Sequence, residues 1–283
     1  MTAALDQLVR LLDLEQIDLA TFRGDSPETT LQRVYGGQVA GQALVAAGRT
    51  VPPERPVHSL HAYFLRPGEP GTPVLYHVDR IRDGRSFTTR RVVAIQNGRA
   101  IFNLAASFHA AEQGVEHQVD MPAVPPPDAL PTWHERLEPW ADQLGAFYRR
   151  PRPIDVRYVS DPPWAVRDGS PRAPRSLVWL RADGRLPDDP LVHVCALTYA
   201  SDMTLLDAVL RVHGLAWGDG RVSGASLDHA MWFHRPFRAD EWLLYETEAP
   251  SSSAGRGLAQ GRLFRRDGGL AVSVVQEGLL RVR

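Results

Sequence analysis

The feature that most constrains the fold is a repeat, because landmarks in the first part of the chain recur in the second. Three pairs of landmarks, a Phe-x-Arg-Pro motif and two turn signals, keep a nearly constant spacing. The motif lies at residues 64–67 and 233–236, an offset of 169. The turn signals lie at residues 84–85 and 255–256, an offset of 171, and at residues 97–98 and 267–268, an offset of 170. Two copies are too few for a solenoid, so the spacing predicts a duplicated fold unit whose copies pack side by side.

The first unit is predicted to be a buried helix followed by antiparallel strands, which is an α+β arrangement. Residues 38–47 are small and apolar on almost every face, which is typical of a helix buried on most sides. Gly36 and Gly37 at its start leave backbone N–H groups approachable by an anion or a carbonyl oxygen. A tight turn that needs glycine explains the pair equally well. The predicted strands cover residues 58–65, 74–82, 86–96 and 100–109.

The rest of the chain predicts a linker and a second unit of the same plan. Proline at the density found in residues 113–131 fits neither a helix nor a central strand, so this segment is predicted to be a linker. A second buried helix is predicted over residues 202–212, with Asp202 at its N-terminus, where the helix dipole or simple capping favours a carboxylate. The other predicted elements are helices over residues 3–12 and 133–149, the latter interrupted at Pro139, and strands over residues 14–23, 154–159, 177–182, 226–233, 242–248, 257–265 and 270–280. We therefore expect units at residues 1–112 and 150–283, joined by residues 113–149.

The densest group of reactive side chains lies in residues 225–237, which carry a hydroxyl, a carboxylate and two imidazoles among large apolar residues. In a regular strand His229 falls on one face, whereas Ser226 and His234 fall on the other. Both faces mix apolar with polar side chains, which is typical of a buried strand that carries a site. A core strand whose polar groups are merely satisfied fits the pattern as well.

Composition excludes several classes of protein. Of the 283 residues, 43% are hydrophobic and 23% are charged, and the net charge of −1 with dispersed basic residues indicates neither nucleic acid nor an anionic membrane as a partner. Cys195 is the only cysteine, which excludes a disulfide framework, and its apolar surroundings predict an inert core residue. No apolar run approaches the roughly 20 residues that span a bilayer, and no signal-peptide pattern is present. We expect a cytoplasmic protein without stable membrane association.

The histidines do not converge in the predicted strands. His58 and His61 fall on opposite faces of one strand, as His229 and His234 do on another, so each is predicted to be structural. No histidine pair has a third ligand at metal-binding spacing, and no G-x-S-x-G elbow is present. We expect neither a metal nor another cofactor.

Six motifs, three in each half and in matching order, carry a resemblance to a known family. They are YGGQVAGQA (35–43), VHSLHAYFLRPG (57–68), IQNG (95–98), YASD (199–202), DHAMWFHRPF (228–237) and VQEG (275–278). With these motifs the chain resembles the acyl-CoA thioesterase II family nearly end to end. The resemblance implies a double hotdog fold, in which two helix-wrapped antiparallel sheets derive from a duplicated unit, as the repeat independently indicates.

The resemblance also implies catalytic residues, all in the second half. The aspartate after Tyr-Ala-Ser matches Asp202, and the glutamine before Glu-Gly matches Gln276. The hydroxyl residue before the Asp-His pair, often threonine in the family, matches Ser226, which keeps the hydroxyl and loses a methyl group.

The remaining expectations concern substrate and partners. Gly36, Gly37 and His58 are candidates for substrate binding, and the implied partner is acyl-CoA. The family forms oligomers, and an antiparallel sheet leaves an edge and an outer face to cover, so we expect a homo-oligomer.

These residue types suit hydrolysis of a thioester. The leaving group is a thiolate whose conjugate acid has a pKa near about 8.5, so it needs less acid assistance than an amide nitrogen. Asp202 would act as the base on a water that Ser226 and Gln276 hold in line. Backbone N–H groups at a helix start would face the carbonyl, and the sequence leaves the choice of helix open.

Two other functions stay open at this point. The hotdog fold also hosts enoyl-thioester hydratases, which need an acid/base pair at a hotdog helix, usually with a histidine. The first predicted helix lacks Asp and His, and the second has only Asp202 near its start. A non-catalytic acyl-CoA-binding protein is the other alternative, and the intact set of Asp202, Ser226 and Gln276 argues against it.

Overall fold

The computed structural model describes residues 2–28, 32–165, 174–218 and 220–282, which form thirteen strands and seven α-helices. The strands are β1 (Glu15–Asp18), β2 (Thr21–Gly24), β3 (Val57–Phe64), β4 (Val74–Asp83), β5 (Phe87–Gln96), β6 (Arg99–His109), β7 (Ile154–Tyr158), β8 (Arg175–Ala182), β9 (Val222–Ser226), β10 (Asp228–Phe233), β11 (Leu243–Ser253), β12 (Arg256–Arg265) and β13 (Leu270–Val282). The helices are α1 (Ala3–Leu12), α2 (Gly36–Gly48), α3 (Trp133–Leu137), α4 (Ala141–Leu144), α5 (Ala146–Arg149), α6 (Pro190–Ser201) and α7 (Asp207–His213), with 3₁₀ turns at Pro127–Ala129, Glu138–Trp140 and Pro163–Ala165.

The strands pair in one antiparallel sheet. Along it the order is β1-β2-β4-β5-β6-β3-β10-β13-β12-β11-β8-β7, and β9 also pairs with β13. The order is mirrored about the central β3–β10 pair, so each strand of the first half has a counterpart at the same distance on the other side. At this centre His61 lies opposite Ala230, and their separation of 169 residues (230 − 61) equals the offset of the Phe-x-Arg-Pro motif. The predicted α+β class with a large antiparallel sheet is confirmed.

α2 is the buried helix predicted for the first half. Its residues 37–47 are buried, and it packs against β2 to β6 and against the antiparallel α6. A Cβ atom on Gly37 would lie 2.3 Å from the carbonyl oxygen of Tyr199, and one on Gly41 would lie 3.1 Å from that of Cys195. The two helices can approach this closely only because the contact residues of α2 are glycines.

The partner helix in the second half begins earlier than predicted. We expected residues 202–212 to be helical from Asp202 onward, but α6 ends at Ser201 and Asp202 is its C-cap. The start signal of α6 is an aspartate followed by proline at the first helical position, and the Asp189 side chain accepts the N–H of Leu191 at 2.9 Å. Turns follow Asp202, and α7 then packs against β11 and β12. The prediction that Asp202 begins its own helix is therefore wrong.

Two further predicted elements are divided. Residues 14–23 form the paired strands β1 and β2 instead of one strand, and the Asp18 carboxylate accepts the N–H of the next residue in the turn between them. Residues 133–149 form three short helices and a 3₁₀ turn instead of one interrupted helix. Pro139 lies within that turn, and Gly145 adopts a φ of 52° between α4 and α5, which favours glycine.

The proline-rich linker lies on the second half of the sheet. A small apolar cluster is buried there, separate from the main core. It consists of Trp179, Trp242, Leu244 and Phe264, with Met121, Val124 and Leu130 of the linker packed against it. The indole Nε1 of Trp179 donates to the carbonyl oxygen of Pro125 at 3.0 Å, and Gln118 donates to that of Gly268 at 2.9 Å. The linker therefore covers apolar surface of β8, β11 and β12.

The two halves share one core. Apart from the small cluster under the linker, the buried apolar side chains of the described residues form one contiguous cluster that extends from Leu5 in α1 to Leu280 in β13. Within the described part of the chain, none of the helices combines the length and the apolar character that crossing a bilayer requires.

Candidate active site

A cleft of about 650 Å³ opens where the start of α2, the end of α6 and the connection between β9 and β10 meet. Residues of both halves of the chain line it. Its apolar lining includes Val39, Phe64, Ile101, Phe102, Met203, Leu206 and Trp217, and its polar lining includes Arg33, Arg66, Asp202, Asp207 and Ser226. An apolar cleft with a few converging polar groups is the usual form of a small-molecule site.

Three donors converge on the carboxylate of Asp202. Its Oδ1 accepts the hydroxyl of Ser226 at 3.2 Å and the amide Nε2 of Gln276 at 2.7 Å. Its Oδ2 accepts the backbone N–H of Gly37 at 2.9 Å. The structure thus brings together the three residues that the resemblance implied, and a helix start from the other half of the chain joins them.

The end of α6 holds Asp202 in place through two tyrosines. The Tyr35 hydroxyl donates to the carbonyl oxygen of Tyr199 at 2.8 Å, and the Tyr245 hydroxyl donates to that of Ser201 at 3.1 Å. Carbonyl groups in the last turn of a helix have no partner within the helix, so these hydroxyls satisfy them. Burial raises the pKa of the Tyr35 hydroxyl and that of the Tyr245 hydroxyl well above the usual range, which keeps both groups neutral donors.

Ser226 reaches the carboxylate because an extra residue interrupts the strand. Ala230 pairs with Val275 and Ser226 pairs with Gly278, so four steps along β9 and β10 match three along β13. A β-bulge of this kind shifts the alternation of side chains by one residue. The serine therefore shares a sheet face with Gln276, and the unbroken alternation expected from the sequence is corrected at this point.

Gln276 lies in the middle of β13 and is fully buried. Its Nε2 is bound to Asp202, whereas its Oε1 has no regular hydrogen-bond partner. The buried imidazole of His229 is its neighbour on β10, where Nδ1 likewise has no regular partner and Nε2 lies 2.9 Å from the hydroxyl of Ser201.

The environment of Asp202 suits a base. Burial raises the pKa of Asp202 above its usual value, while the hydrogen bonds from Gln276, Ser226 and Gly37 and the charge of Arg33 act in the opposite direction. The N-terminus of α2 adds a favourable dipole for the ionised form. The carboxylate is thus kept available in its charged form, and its basicity exceeds that of an exposed aspartate.

The three candidates for substrate binding have different positions. Gly36 lines the cleft, and a Cβ atom added to it would lie 2.8 Å from Oδ2 of Asp202. Gly37 binds that carboxylate through its N–H. His58 is not among the described residues that line the cleft; its Nε2 lies 2.8 Å from the hydroxyl of Ser107, in contact with aromatic rings. The structure does not bring His58 to the site.

The other reactive side chains lie apart from the cleft lining. Cys195 is buried in α6, and burial raises its pKa, which makes the thiol inert. His61 packs edge-on against Trp232, and His234 lies 2.9 Å from the hydroxyl of Ser273 on the exposed face. In the described ranges, no three His, Cys, Asp or Glu side chains are grouped so that they could hold a metal ion.

The sequence did not reveal the residues that surround Asp202, Ser226 and Gln276. Tyr35 directly precedes the glycine pair, which is a signal for its position but not for its bond across the two helices. Asp207 is buried beside the cleft, where the indole Nε1 of Trp217 donates to it at 3.1 Å and burial raises the pKa of the carboxyl to about 7. In the sequence, Asp207 looks like any polar residue of a helix.

Comparison with known proteins assigns the chain to a family. The family model for acyl-CoA thioesterase matches residues 150–279, and the model for the acyl-CoA thioesterase N-terminal domain matches residues 25–109. The chain is 42% identical over 287 residues to acyl-coenzyme A thioesterase 8 of Rattus norvegicus, which covers 96% of this chain and 88% of the relative. It is 37% identical over 289 residues to acyl-CoA thioesterase 2 of Haemophilus influenzae, with 99% of both chains covered.

Solved structures agree. The crystal structure of an acyl-CoA thioesterase II, TesB2, from Mycobacterium marinum matches with a TM-score of 0.81 and 46% identity over 98% of both chains. A hot dog fold protein from Alicyclobacillus acidocaldarius, at 20% identity, matches with a TM-score of 0.78 over 100% of both chains and bears on the fold alone. Fold and cleft thus define a thioester hydrolase of the hotdog class. The chain belongs to the acyl-CoA thioesterase family, and the predicted activity, hydrolysis of acyl-CoA, is confirmed.

Proposed function

We propose that Asp202 deprotonates a water molecule while Ser226 and Gln276 hold that water in line with the carbonyl carbon of the thioester. The observation that carries the proposal is the convergence of the serine hydroxyl and the glutamine amide on one carboxylate oxygen, at 3.2 and 2.7 Å. A water among these three groups meets one strong acceptor and two groups that fix its position. Burial raises the pKa of Asp202, which brings its basicity closer to the working pH.

The start of α2 supplies the remaining polar element. The N–H groups of the first helical turn have no partners within the helix. Gly37 uses its N–H to hold the carboxylate, and Gly36, one residue earlier, lines the cleft. In this proposal the thioester carbonyl oxygen accepts the N–H of Gly36, so charge that develops on this oxygen faces the positive end of the helix.

The lining of the cleft matches the two parts of an acyl-CoA. The apolar side chains of α2, β6 and the segment after α6 suit an acyl chain. Arg33 and Arg66 also line the cleft, and both are exposed. Each donates to one backbone carbonyl oxygen, of Gly224 and Ala100 respectively, and its other N–H groups can reach the phosphates of coenzyme A. The leaving thiolate needs little proton assistance, which is consistent with a site in which the Ser226 hydroxyl donates to a carboxylate and not to a histidine.

The hydratase alternative gains no support from α6. This helix contains a histidine, His193, which the predicted start at Asp202 had left out of the helix. His193 lies more than two helical turns before Asp202, and its Nδ1 accepts the backbone N–H of Ala239 at 3.1 Å. The histidine thus anchors a loop and does not form an acid/base pair with Asp202.

The role of the water is tested with Ser226→Ala, Gln276→Ala and the double variant. If both side chains orient one water, each single variant lowers kcat and leaves the affinity for acyl-CoA nearly unchanged. The double variant is then less impaired than the product of the two single effects, because the second change removes a function that is already lost. Release of coenzyme A thiol from a panel of acyl-CoAs measures kcat.

Ser273→Ala is the matched control for these variants. It also removes a hydroxyl from β13, but this hydroxyl pairs with the exposed His234 and not with Asp202. We expect normal turnover. The proposal that both side chains orient one water would be contradicted if the double variant lost the full product of the two single effects. It would also be contradicted if both single variants had normal turnover.

The same account includes the organisation of the chain. The mirrored strand order and the 169-residue offset support two copies of one hotdog unit, at residues 1–112 and 150–283, with residues 113–149 between them. A homo-oligomer in the cytoplasm remains the prediction from the sequence. Tyr63 on the outer face of β3 is 59% exposed, so light scattering with a charged replacement at this position tests whether the central strands take part in assembly.

A further inference from the structure

The site contains two buried polar atoms that its proposed mechanism does not use. Oε1 of Gln276 and Nδ1 of His229 both lack a regular hydrogen-bond partner, although the two side chains are fully buried. Unpaired polar atoms are rare in protein interiors, and each one calls for an explanation. In β10 and β13, Ala230 pairs with Val275, so the next residues of the two strands, His229 and Gln276, face each other.

The two side chains also interact electrostatically. Burial lowers the pKa of His229 to about 4, and a side-chain hydrogen bond with Gln276 acts in the opposite direction. An amide has this effect when its oxygen accepts from the ring, because that bond favours the protonated form. A contact between Nδ1 of His229 and Oε1 of Gln276, the two unpaired atoms of these facing side chains, accounts for this effect. At neutral pH the ring is uncharged and carries one proton.

Ser201 decides which ring nitrogen carries this proton. Its hydroxyl lies 2.9 Å from Nε2 of His229 and 3.0 Å from the carbonyl oxygen of Thr198, and it has one proton to donate. If the hydroxyl donates to Nε2, the ring proton is on Nδ1 and can be donated to Oε1 of Gln276. If it donates to Thr198, the lone pair of Nδ1 faces the lone pairs of Oε1, and both atoms stay unpaired in the interior. The first arrangement pairs Nδ1 with Oε1 and gives up the bond to Thr198, whereas the second leaves two buried atoms unpaired with their lone pairs facing each other, so the first is favoured.

We infer that His229 is a positioning residue: in the Nδ1–H tautomer, set by Ser201, it fixes the amide of Gln276 so that Nε2 points to Asp202. A rotation of the amide by half a turn would place Oε1 against the carboxylate and remove the donor that holds the water. The inference deepens the proposed function and rests on it, because the position of the amide matters only if Gln276 acts on the water. His229 itself touches neither the substrate nor Asp202 in this scheme.

Three substitutions of His229 separate positioning from mere packing. Asn keeps an N–H near the place of Nδ1, Gln carries its amide near the place of Nε2, and Leu has no donor. We expect His229→Asn to retain kcat within about fivefold of the original enzyme. We expect Gln and Leu to lower it about 10- to 100-fold, the range known for losing a hydrogen bond that orients a metal ligand, which is a comparable positioning role. KM should stay within a few-fold, and circular dichroism should show a folded protein.

His234→Leu is the matched control, because it removes another histidine that contacts a serine hydroxyl, on the exposed face of the same motif. It should leave kcat unchanged. Equal losses in His229→Asn and His229→Leu would overturn the inference. In a Gln276→Ala background, His229→Leu should cost almost nothing further, and a full additional loss would contradict a role exerted through Gln276. If instead Gln276→Ala alone has normal turnover, the proposed role of Gln276 in orienting the water is wrong, whereas the assignment of the His229 tautomer is not contradicted.

The tautomer itself is measurable in the unmodified enzyme. In a sample with ¹⁵N-labelled histidine, the His229 resonances are those that disappear in His229→Asn, or in His229→Gln if the Asn variant does not fold. We expect a protonated Nδ1 and an unprotonated Nε2. Ser201→Ala removes the donor to Nε2 and should release this preference while lowering kcat. A protonated Nε2 in the unmodified enzyme would refute the inference whatever the variants do.

Discussion

At the residue scale, the site is organised around the carboxylate of Asp202 and the neutral groups that donate hydrogen bonds to it. Asp202 receives a hydroxyl, an amide and a backbone N–H, and none of these donors carries a charge. Neutral donors orient the carboxylate without lowering its pKa as strongly as a cation would. The sequence predicted Asp202, Ser226 and Gln276 through the motifs. It did not predict Gly37 as a donor to the aspartate, because that contact joins residues 165 positions apart.

The pH dependence of the reaction follows from this environment. A protonated Asp202 cannot take a proton from water, so kcat/KM falls as the pH falls through its pKa. Because burial raises this pKa, we expect the acidic limb above the ordinary aspartate value of about 3.9. Ser226→Ala removes a hydrogen bond that lowers the pKa, so the limb of the residual activity should move to higher pH. A limb that stays in place or moves to lower pH would contradict this electrostatic account.

The tyrosine that caps α6 gives a prediction on stability. Tyr245→Phe removes the donor to the carbonyl oxygen of Ser201 and leaves that buried group without its partner. We expect the free energy of unfolding to fall by about 1–3 kcal/mol, with a loss of kcat because Asp202 follows directly. Denaturant titration measures the first and thiol release the second. Tyr63→Phe, which alters an exposed tyrosine, is the control, and equal effects of the two variants would contradict the capping role.

At the scale of elements, the site is set by the ends of two helices and by a bulge. Strand and helix patterns in the sequence predicted α2 and most strands, because burial on one or more faces imposes a clear period. The start of α6 was missed although Asp189 and Pro190 mark it, since its apolar residues were assigned to plain core. The bulge beside Ser226 could not be read from the sequence, because it depends on how β9, β10 and β13 pair.

The contact between α2 and α6 is sensitive to one methyl group. Gly37→Ala would place a Cβ atom 2.3 Å from the backbone oxygen of Tyr199, which cannot move without shifting α6. We expect a lower melting temperature. We also expect kcat to fall by a larger fraction than the loss of stability alone would cause, since the same shift displaces Asp202 from the N–H of Gly37. Differential scanning fluorimetry and the thiol assay measure both.

Gly114→Ala is the control for that substitution. It adds the same methyl group in the linker, where no atom beyond the residue itself and its two chain neighbours lies within 4 Å of the new Cβ atom. It should change neither the melting temperature nor kcat. If Gly37→Ala behaves like Gly114→Ala, the close approach of the two helices does not hold the site.

At the scale of the whole molecule, the two halves depend on each other. The three residues proposed to act on the water all lie in the second half. From the first half, Gly36 and apolar residues of α2 and β6 complete the cleft, and Gly37 donates to Asp202. The repeat predicted two similar units and did not predict that one site would draw on both. Sequence similarity between the two halves indicates how each half folds, whereas the shared cleft arises from the contact between them.

A divided chain tests this dependence. Residues 150–283 expressed alone should lack thioesterase activity although they contain Asp202, Ser226 and Gln276. The core cluster crosses both halves, so exposed apolar surface should also make this fragment prone to aggregation. Co-expression with residues 1–149 should restore part of the turnover. Activity of the lone second half, measured as thiol release, would show that the first half is dispensable for the site.

The most direct test of the mechanism is the turnover of Asp202→Asn. Asparagine keeps the size of the side chain and removes the proton acceptor. If the carboxylate activates water, kcat falls by about 10²–10⁴-fold, while the dissociation constant for acyl-CoA, measured by direct binding, stays within a few-fold. Near-normal turnover with intact binding would contradict the assignment of Asp202 as the base.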